Sequence, residues 1–86
     1  MASAKRVLER ILRGDSDTDI RFSAMRNLLS KIGFEERIRG SHHIFFRHGI
    51  EEIINLQPKG SKCKPYQVKQ VRQIIVKYKL AEEIHE

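Results

Sequence analysis

Apolar residues recur at helical spacing in three stretches of the chain. The first stretch is followed by Gly14 and the second by Gly33, and glycine commonly follows the last turn of a helix. Ser23 suits the N-cap of the second helix, and Pro65 suits the first turn of the third. The three apolar stripes comprise Val7, Leu8, Ile11 and Leu12; Phe22, Met25, Leu28, Leu29 and Ile32; and Val68, Val71, Ile74, Ile75 and Tyr78. We therefore predict two helices before Gly33 and one that begins at Pro65.

Between the second and third helices the hydrophobic period changes to that of strands. Gly40-Ser41 is a hairpin signal, and His48-Gly49 is predicted to form the next turn. The predicted strands are residues 34–39, 42–47 and 51–57. The fold class is therefore α+β, with a three-stranded antiparallel sheet and the element order α-α-β-β-β-α. The last five elements follow the α-β-β-β-α layout of the double-stranded-RNA-binding fold, with an extra N-terminal helix, although element order alone does not identify a function.

The length of 86 residues suits one domain with a modest core. We divide the chain into an N-terminal helical extension (1–21), a core with the double-stranded-RNA-binding layout (22–80) and an acidic tail (81–86). We expect the apolar stripe of the extension to be intramolecular core. The alternatives are that the stripe covers apolar surface left by the strands, or that it meets a partner.

Composition indicates the compartment. The chain has no run of eighteen apolar residues, which predicts no membrane span. A single cysteine, Cys63, excludes an internal disulfide and suits a reducing compartment, so we expect a cytoplasmic protein. We interpret Cys63 as an ordinary loop cysteine, whose pKa the neighbouring lysines would lower if the thiol were exposed.

The net charge of +6 is unevenly distributed along the chain. The segment from Lys59 to Lys79 has seven basic residues and no acidic one, and Arg37, Arg39 and Arg47 form a second basic group. A one-sided basic surface usually binds a polyanion such as nucleic acid. A solvated lysine face is an equally good interpretation of the basic run alone.

The segment GSHHIFFRHG, residues 40–49, places His42 and His43 side by side at the start of a strand. Strand side chains alternate between faces, so these two histidines point in opposite directions. An imidazole can take and give protons near neutral pH, and neighbouring arginines can stabilise the charge that develops during RNA cleavage. The alternative is that both are polar strand-end residues satisfied by water or backbone, and the residues alone favour that alternative.

A metal site is not predicted from the candidate ligands. They show neither the CxxC nor the HxxxH spacing of a zinc site, and adjacent histidines on a strand diverge. The candidates are His42, His43, His48, Cys63 and His85. We therefore expect no metal and no cofactor.

Several features taken together resemble a known family. They are a helix ending at Gly33-Phe34, the motif Arg-x-x-Gly-Ser-His at residues 37–42, an aromatic strand, a strand ending near Pro58, and a C-terminal amphipathic helix. From Phe22 to Leu80 the chain resembles the HicA family, the mRNA-interferase toxins of type II toxin–antitoxin systems, in a long form with an additional N-terminal helix. The resemblance implies a double-stranded-RNA-binding-like fold, ribosome-independent cleavage of mRNA without a required metal, and a HicB antitoxin that blocks the active surface.

The resemblance also implies roles for individual residues. The histidine of Gly-Ser-His is catalytic in the family, which implies that role for His42 and does not extend it to His43. We expect single-stranded mRNA to lie across the hairpin and the start of the last helix, where the positive helix end would also attract phosphate. The expected RNA contacts are Arg37, Arg39, Ser41, Arg47, Lys59, Lys62, Lys64 and Lys69.

The chain departs from the family pattern after the third strand. Many members carry Pro-x-His there, whereas this chain has Gln57-Pro58-Lys59 and no histidine. Lys59 or an arginine would have to replace the second imidazole, or the activity would be weaker. The other readings are a small RNA-binding module without catalysis, and a degenerate toxin that still binds its antitoxin.

Overall fold

The computed structural model describes residues 3–84. Its helices are α1 (Ala4–Arg13), α2 (Phe22–Lys31) and α3 (Pro65–Lys77), with a short 3-10 helix at Leu80–Glu83; its strands are β1 (Glu35–Arg39), β2 (His42–Phe46) and β3 (Ile54–Leu56). The strands form one antiparallel sheet in the order β1-β2-β3. The predicted α+β class and α-β-β-β-α order are confirmed. Residues 1–2 of the predicted extension and 85–86 of the predicted tail, including His85, lie outside the described residues.

The stripe of α1 packs against α2 and α3. Val7, Leu8 and Ile11 are buried there, which confirms that these residues are intramolecular core. The assignment of Leu12 to the buried stripe is wrong, because Leu12 lies at the edge of the covered face and is 39% exposed. Ala4, one turn before Val7 and Leu8, completes the buried line.

Arg72 of α3 fastens the loop that follows α1. Its Nη1 donates to the Ile11 carbonyl at 3.0 Å, and its guanidinium meets both carboxylate oxygens of Asp17, at 2.9 and 3.1 Å. The hydrogen bond from Arg72 lowers the pKa of Asp17. The end of α1 and the acidic loop are therefore held on α3.

The start of α2 is fixed by the backbone rather than by a cap side chain. Arg21 occupies the N-cap position, so the prediction of Ser23 as the cap is wrong. An antiparallel bridge pairs Arg21 with Lys62, and the Phe22 N–H donates to the Ser61 carbonyl at 2.9 Å. Because this bridge keeps Arg21 extended up to Phe22, the helix begins one residue before Ser23.

The third strand is shorter than the predicted 51–57. β3 begins only at Ile54, because the segment before it is held by the end of α3. The Tyr78 hydroxyl donates to Glu52 at 2.5 Å and accepts from the Glu51 N–H at 3.4 Å, and Lys77 Nζ donates to Glu52 at 2.8 Å. Tyr78 is consequently half-buried rather than part of the deep core.

Helices α2 and α3 cover one face of the sheet and leave the other open to solvent. On the covered face, Phe45, Ile54 and Leu56 are at most 1% exposed and join the same cluster of buried residues as the helices. No helix within residues 3–84 is long and apolar enough to cross a membrane. The fold therefore presents one uncovered sheet face, on which the site must be sought.

Candidate functional site

The uncovered sheet face brings His42 together with two of the predicted arginines. In the antiparallel register Arg39 lies opposite His42, Arg37 lies opposite Ile44, and Asn55 of β3 lies on the other side of Ile44. Residues paired across a sheet share a face. We call this surface the open face; its residues are Glu35, Arg37, Arg39, His42, Ile44, Phe46, Ile53 and Asn55.

His42 is exposed, and one nitrogen of its ring is held. Its Nδ1 lies 3.3 Å from Oδ1 of Asn55. With the carboxamide oxygen of Asn55 facing the ring, the proton lies on Nδ1, because that oxygen only accepts hydrogen bonds. Within residues 3–84, Nε2 makes no hydrogen bond. The neutral ring can therefore offer the lone pair of Nε2 to an incoming group.

A shallow depression of about 370 Å³ lies on the open face beside His42. It is lined by Arg37, Arg39, Ile44, Phe46 and Ile53, and the Arg37 guanidinium carbon lies 5.8 Å from the centre of the Phe46 ring. An apolar, partly aromatic floor with cations on it suits unpaired nucleotides, because bases pack on the floor and phosphates meet the arginines.

His43 points to the opposite face and is built into the fold, as strand alternation predicts. Its Nδ1 lies 2.7 Å from Oε2 of Glu36, and its ring meets the Phe22 ring edge-on at 4.8 Å between centroids. Arg26 of α2 donates two further hydrogen bonds to Glu36, at 2.8 and 3.0 Å. These bonds are the main cause of the lowered pKa of Glu36. His43 thus joins β1, β2 and α2 and is not available to a substrate.

Ser41 and Lys64 are brought to the His42 end of the sheet by Gln57. The Gln57 amide nitrogen donates to Ser41 Oγ at 2.9 Å, and its amide oxygen accepts from Lys64 Nζ at 3.4 Å. Lys64 directly precedes α3, so this link connects the hairpin turn to the start of that helix. Of the predicted lysines, Lys64 is the one that hydrogen bonds connect to the turn before His42.

The remaining predicted RNA contacts lie in other settings. Lys62 is paired with Asp19 at 2.9 Å, and exposed Lys69 lies near enough to Asp17 to lower the pKa of that carboxyl. Exposed Lys59 pairs with Lys62 through the backbone, in the turn after β3. These three lysines therefore border the acidic loop or the turn rather than the open face.

Arg47 is turned away from His42. It follows β2 and points to the same side of the sheet as His43. Its guanidinium donates to the Ile32 carbonyl at 2.7 Å and pairs with Glu83 at 2.9 Å. Its side chain is only 25% exposed. The structure therefore does not bring Arg47 to the open face.

Cys63 is not a reactive thiol in this fold. Cys63 is buried, and burial raises the pKa of its thiol to about 12, so the lowering expected for an exposed thiol between lysines does not apply. Within residues 3–84, no group of three or more His, Cys, Asp or Glu side chains could hold a metal ion.

Two residues of the site, Asn55 and Gln57, are not predicted from the sequence. Asn55 and Gln57 occur in the predicted third strand, and their spacing of two residues puts them on one face. What the sequence lacks is the register between β2 and β3, which depends on the path of residues 47–53. That register places Asn55 beside His42.

A comparison with protein-family models matches residues 23–79 to the family described as the HicA toxin of bacterial toxin–antitoxin. The match covers about two thirds of the chain and runs from the start of α2 past the end of α3, so it contains the whole open face. Helix α1 lies outside it. No curated protein and no solved structure matches the chain.

Proposed function

This chain belongs to the HicA toxin family of bacterial toxin–antitoxin systems, and we propose that it is an mRNA interferase in which His42 is the catalytic acid or base. Family membership supports the role of toxin and the existence of an antitoxin partner. One observation carries the catalytic part of the proposal: His42 is exposed on the open face with Nδ1 engaged, and Arg39 lies opposite it in the register.

The chemistry needs three contributions at one phosphate. A proton must leave the 2′-hydroxyl as the 2′-oxygen bonds to phosphorus, the added negative charge must be stabilised, and the departing 5′-oxygen must receive a proton. His42 Nε2 would accept the first proton or, once protonated, deliver the last. Arg39 and Arg37 would stabilise the negative charge that builds up on the non-bridging phosphate oxygens, acting as cations fixed before the reaction begins.

Lys64 is our candidate for the cation that replaces the missing second imidazole. Its ammonium is connected through Gln57 to Ser41, the residue before His42. Lys59 lies in the turn after β3 and has no such connection among the described residues. We therefore propose that Lys64 contacts the scissile phosphate or its neighbour, and that cleavage proceeds without a metal.

The RNA path that we propose follows the open face toward the start of α3. Arg37, Arg39, Ser41 and Lys64 line this path, and Lys59 borders it. Lys62 would have to leave its pair with Asp19 to reach a phosphate. We therefore expect Lys62, Lys69 and Arg47 to contribute less to RNA binding than the sequence alone suggests.

The proposed partners and compartment follow from the same role. A HicB-type antitoxin would block the toxin most directly by covering the open face. Since mRNA is the proposed substrate, we propose that the protein acts in the cytoplasm.

The test compares three proteins on single-stranded RNA, without ribosomes and with EDTA present. They are the wild type, His42→Ala and His48→Ala, the last being a matched control because His48 is an exposed histidine in the turn beyond β2. We expect wild type and His48→Ala to cleave, and His42→Ala to be slower by at least about 10²-fold while its circular dichroism is unchanged.

Two outcomes would contradict the proposal. Cleavage by folded His42→Ala at the wild-type rate would remove His42 from the mechanism. RNA binding without cleavage by all three proteins would favour the non-catalytic RNA-binding module.

A further inference from the structure

We propose that Asn55 positions His42: its side-chain oxygen accepts a hydrogen bond from Nδ1–H and thereby fixes the ring tautomer and orientation that turn Nε2 toward RNA. The catalytic consequence of this inference rests on the function proposed above. The inference about the tautomer does not rest on that function, because the tautomer is a property of the protein without RNA.

The first support is the rigidity of the backbone that carries Asn55. Its neighbours Ile54 and Leu56 are both 0% exposed, so the strand is anchored on either side of it. The end of β3 is also anchored to α3. With the amide of buried Gln67 turned so that both of its polar atoms are satisfied, its nitrogen donates to the Gln57 carbonyl and its oxygen accepts from the Gln57 N–H, at 3.1 Å each. The Asn55 side chain therefore projects from a fixed point onto the open face.

The second support is the residue type. Asparagine is depleted in strands, yet Asn55 is the middle residue of the short strand β3. Its side chain makes one hydrogen bond within residues 3–84, and that bond is to His42 Nδ1 at 3.3 Å. A β-branched residue would suit the strand better, so the contact with His42 is the feature that asparagine adds.

The third support is the chemistry of a neutral acceptor. The Asn55 oxygen can accept from Nδ1–H whether His42 is neutral or protonated, so the ring need not turn during proton transfer. In water the neutral ring can exchange between two tautomers, and only one of them leaves Nε2 free to act as a base. Within residues 3–84, the charged groups near His42 are Arg37 and Arg39 of β1 and Lys64, which Gln57 and Ser41 connect to it. None of these cations can accept a hydrogen bond from Nδ1–H.

The experiment uses three variants of the full chain. Asn55→Val removes the acceptor while keeping a similar size and raising strand propensity, so that a loss of function cannot be attributed to a weaker strand. Asn55→Asp keeps an acceptor at the same distance. Glu35→Ala is the matched control, since Glu35 is exposed at the far end of β1 and pairs with Phe46.

The first readout is the nitrogen NMR spectrum of protein labelled at histidine, with the His42 signals assigned from their loss in His42→Ala. At mildly alkaline pH we expect wild type, Asn55→Asp and Glu35→Ala to carry the proton on Nδ1. Asn55→Val should show a mixture dominated by the proton on Nε2. A wild-type ring already protonated on Nε2, or an Asn55→Val spectrum like that of the wild type, would overturn the inference.

The second readout is the rate of RNA cleavage as a function of pH. We expect Asn55→Val to cleave roughly 10- to 100-fold more slowly, a fraction of what acid–base catalysis contributes. Asn55→Asp should recover most of the rate with its pH profile moved to higher pH, because a carboxylate favours the protonated ring. A purely structural role for Asn55 would leave the His42 tautomer of Asn55→Val like that of the wild type.

The two readouts separate this inference from the function on which it rests. If wild type does not cleave RNA, the proposed function fails while the tautomer still decides whether Asn55 positions His42. If wild type cleaves and His42→Ala does not, but Asn55→Val matches wild type in both rate and tautomer, only the positioning role is lost.

Discussion

Replacing Ile11 by alanine tests whether α1 is part of the cooperative core or an appendage to it. Ile11 is 0% exposed between α2 and α3, whereas its neighbour Leu12 is 39% exposed on the same helix. Ile11→Ala removes about three buried carbons, worth roughly 2.4 kcal/mol in transfer free energy, and the cavity left behind brings the expected loss to about 2–5 kcal/mol.

Leu12→Ala is the matched control, since it deletes the same number of carbons one residue away. Part of the leucine is already in water, and solvent can fill the space it vacates, so we expect a loss of roughly 1 kcal/mol or less in the free energy of unfolding. The higher helix propensity of alanine offsets each loss by a few tenths of a kcal/mol.

The assay is urea and thermal unfolding followed by circular dichroism. In a domain of this size 1 kcal/mol shifts the melting temperature by about 4–8 °C, so the two variants should be clearly resolved. Equally small losses for the two substitutions would refute the reasoning, because they would mean that α1 does not unfold with the rest of the chain. A larger loss in the free energy of unfolding for Leu12→Ala than for Ile11→Ala would refute the observed orientation of α1, in which Ile11 faces the core.

Two further predictions concern charged groups. The pKa of Glu52 is lowered from 4.5 to about 2, first by the hydrogen bond from Lys77 and then by that from Tyr78. Glu52 therefore stabilises the fold fully above pH 4.5 and loses that contribution as the pH falls toward 2. In urea unfolding from pH 6 to 2, the free energy of unfolding of Glu52→Gln should fall less steeply than that of the wild type. Parallel curves of this free energy against pH would contradict the prediction. In RNA binding, measured by fluorescence anisotropy in a His42→Ala background, Arg39→Gln should reduce the slope of log affinity against log salt by about 0.7 for one lost single-strand phosphate contact. Arg47→Gln should instead lower the melting temperature and leave that slope unchanged, because Arg47 binds Ile32 and Glu83; the opposite assignment of effects would remove the open face as the RNA surface.

The parts of the fold that the sequence predicts are those with local causes. Helical spacing locates all three helices, and Gly40-Ser41 locates the hairpin, because both signals act within a few residues. The errors arise where distant contacts decide. Residues 51–53 leave the sheet because Tyr78 holds Glu52. Ser23 is not a cap because the extended segment bridged to Lys62 ends at Arg21, two residues earlier.

The candidate site divides in the same way. Alternation along β2 predicts that the two histidines face opposite sides, but it cannot say which side the helices cover. That choice depends on the packing of Phe45 and on the contacts that His43 makes with Glu36 and Phe22. The register with β3, which brings Asn55 to His42, depends on a loop whose path is likewise set by tertiary contacts.

The adjacent histidines are equivalent in sequence, and the hairpin makes them different. Because the side-chain period of a strand is two residues, a slip of one residue at the turn would place His43 on the open face and His42 against Phe22. The turn prevents that slip: Gly40 adopts a φ of 58°, a left-handed conformation that suits glycine, and the Gln57–Ser41 hydrogen bond fastens the next residue to the end of β3. On the other face, the contact of His43 with Glu36 stabilises the same register. The motif Gly-Ser-His-His therefore combines a turn that sets the register, one histidine that holds it, and one that the register exposes.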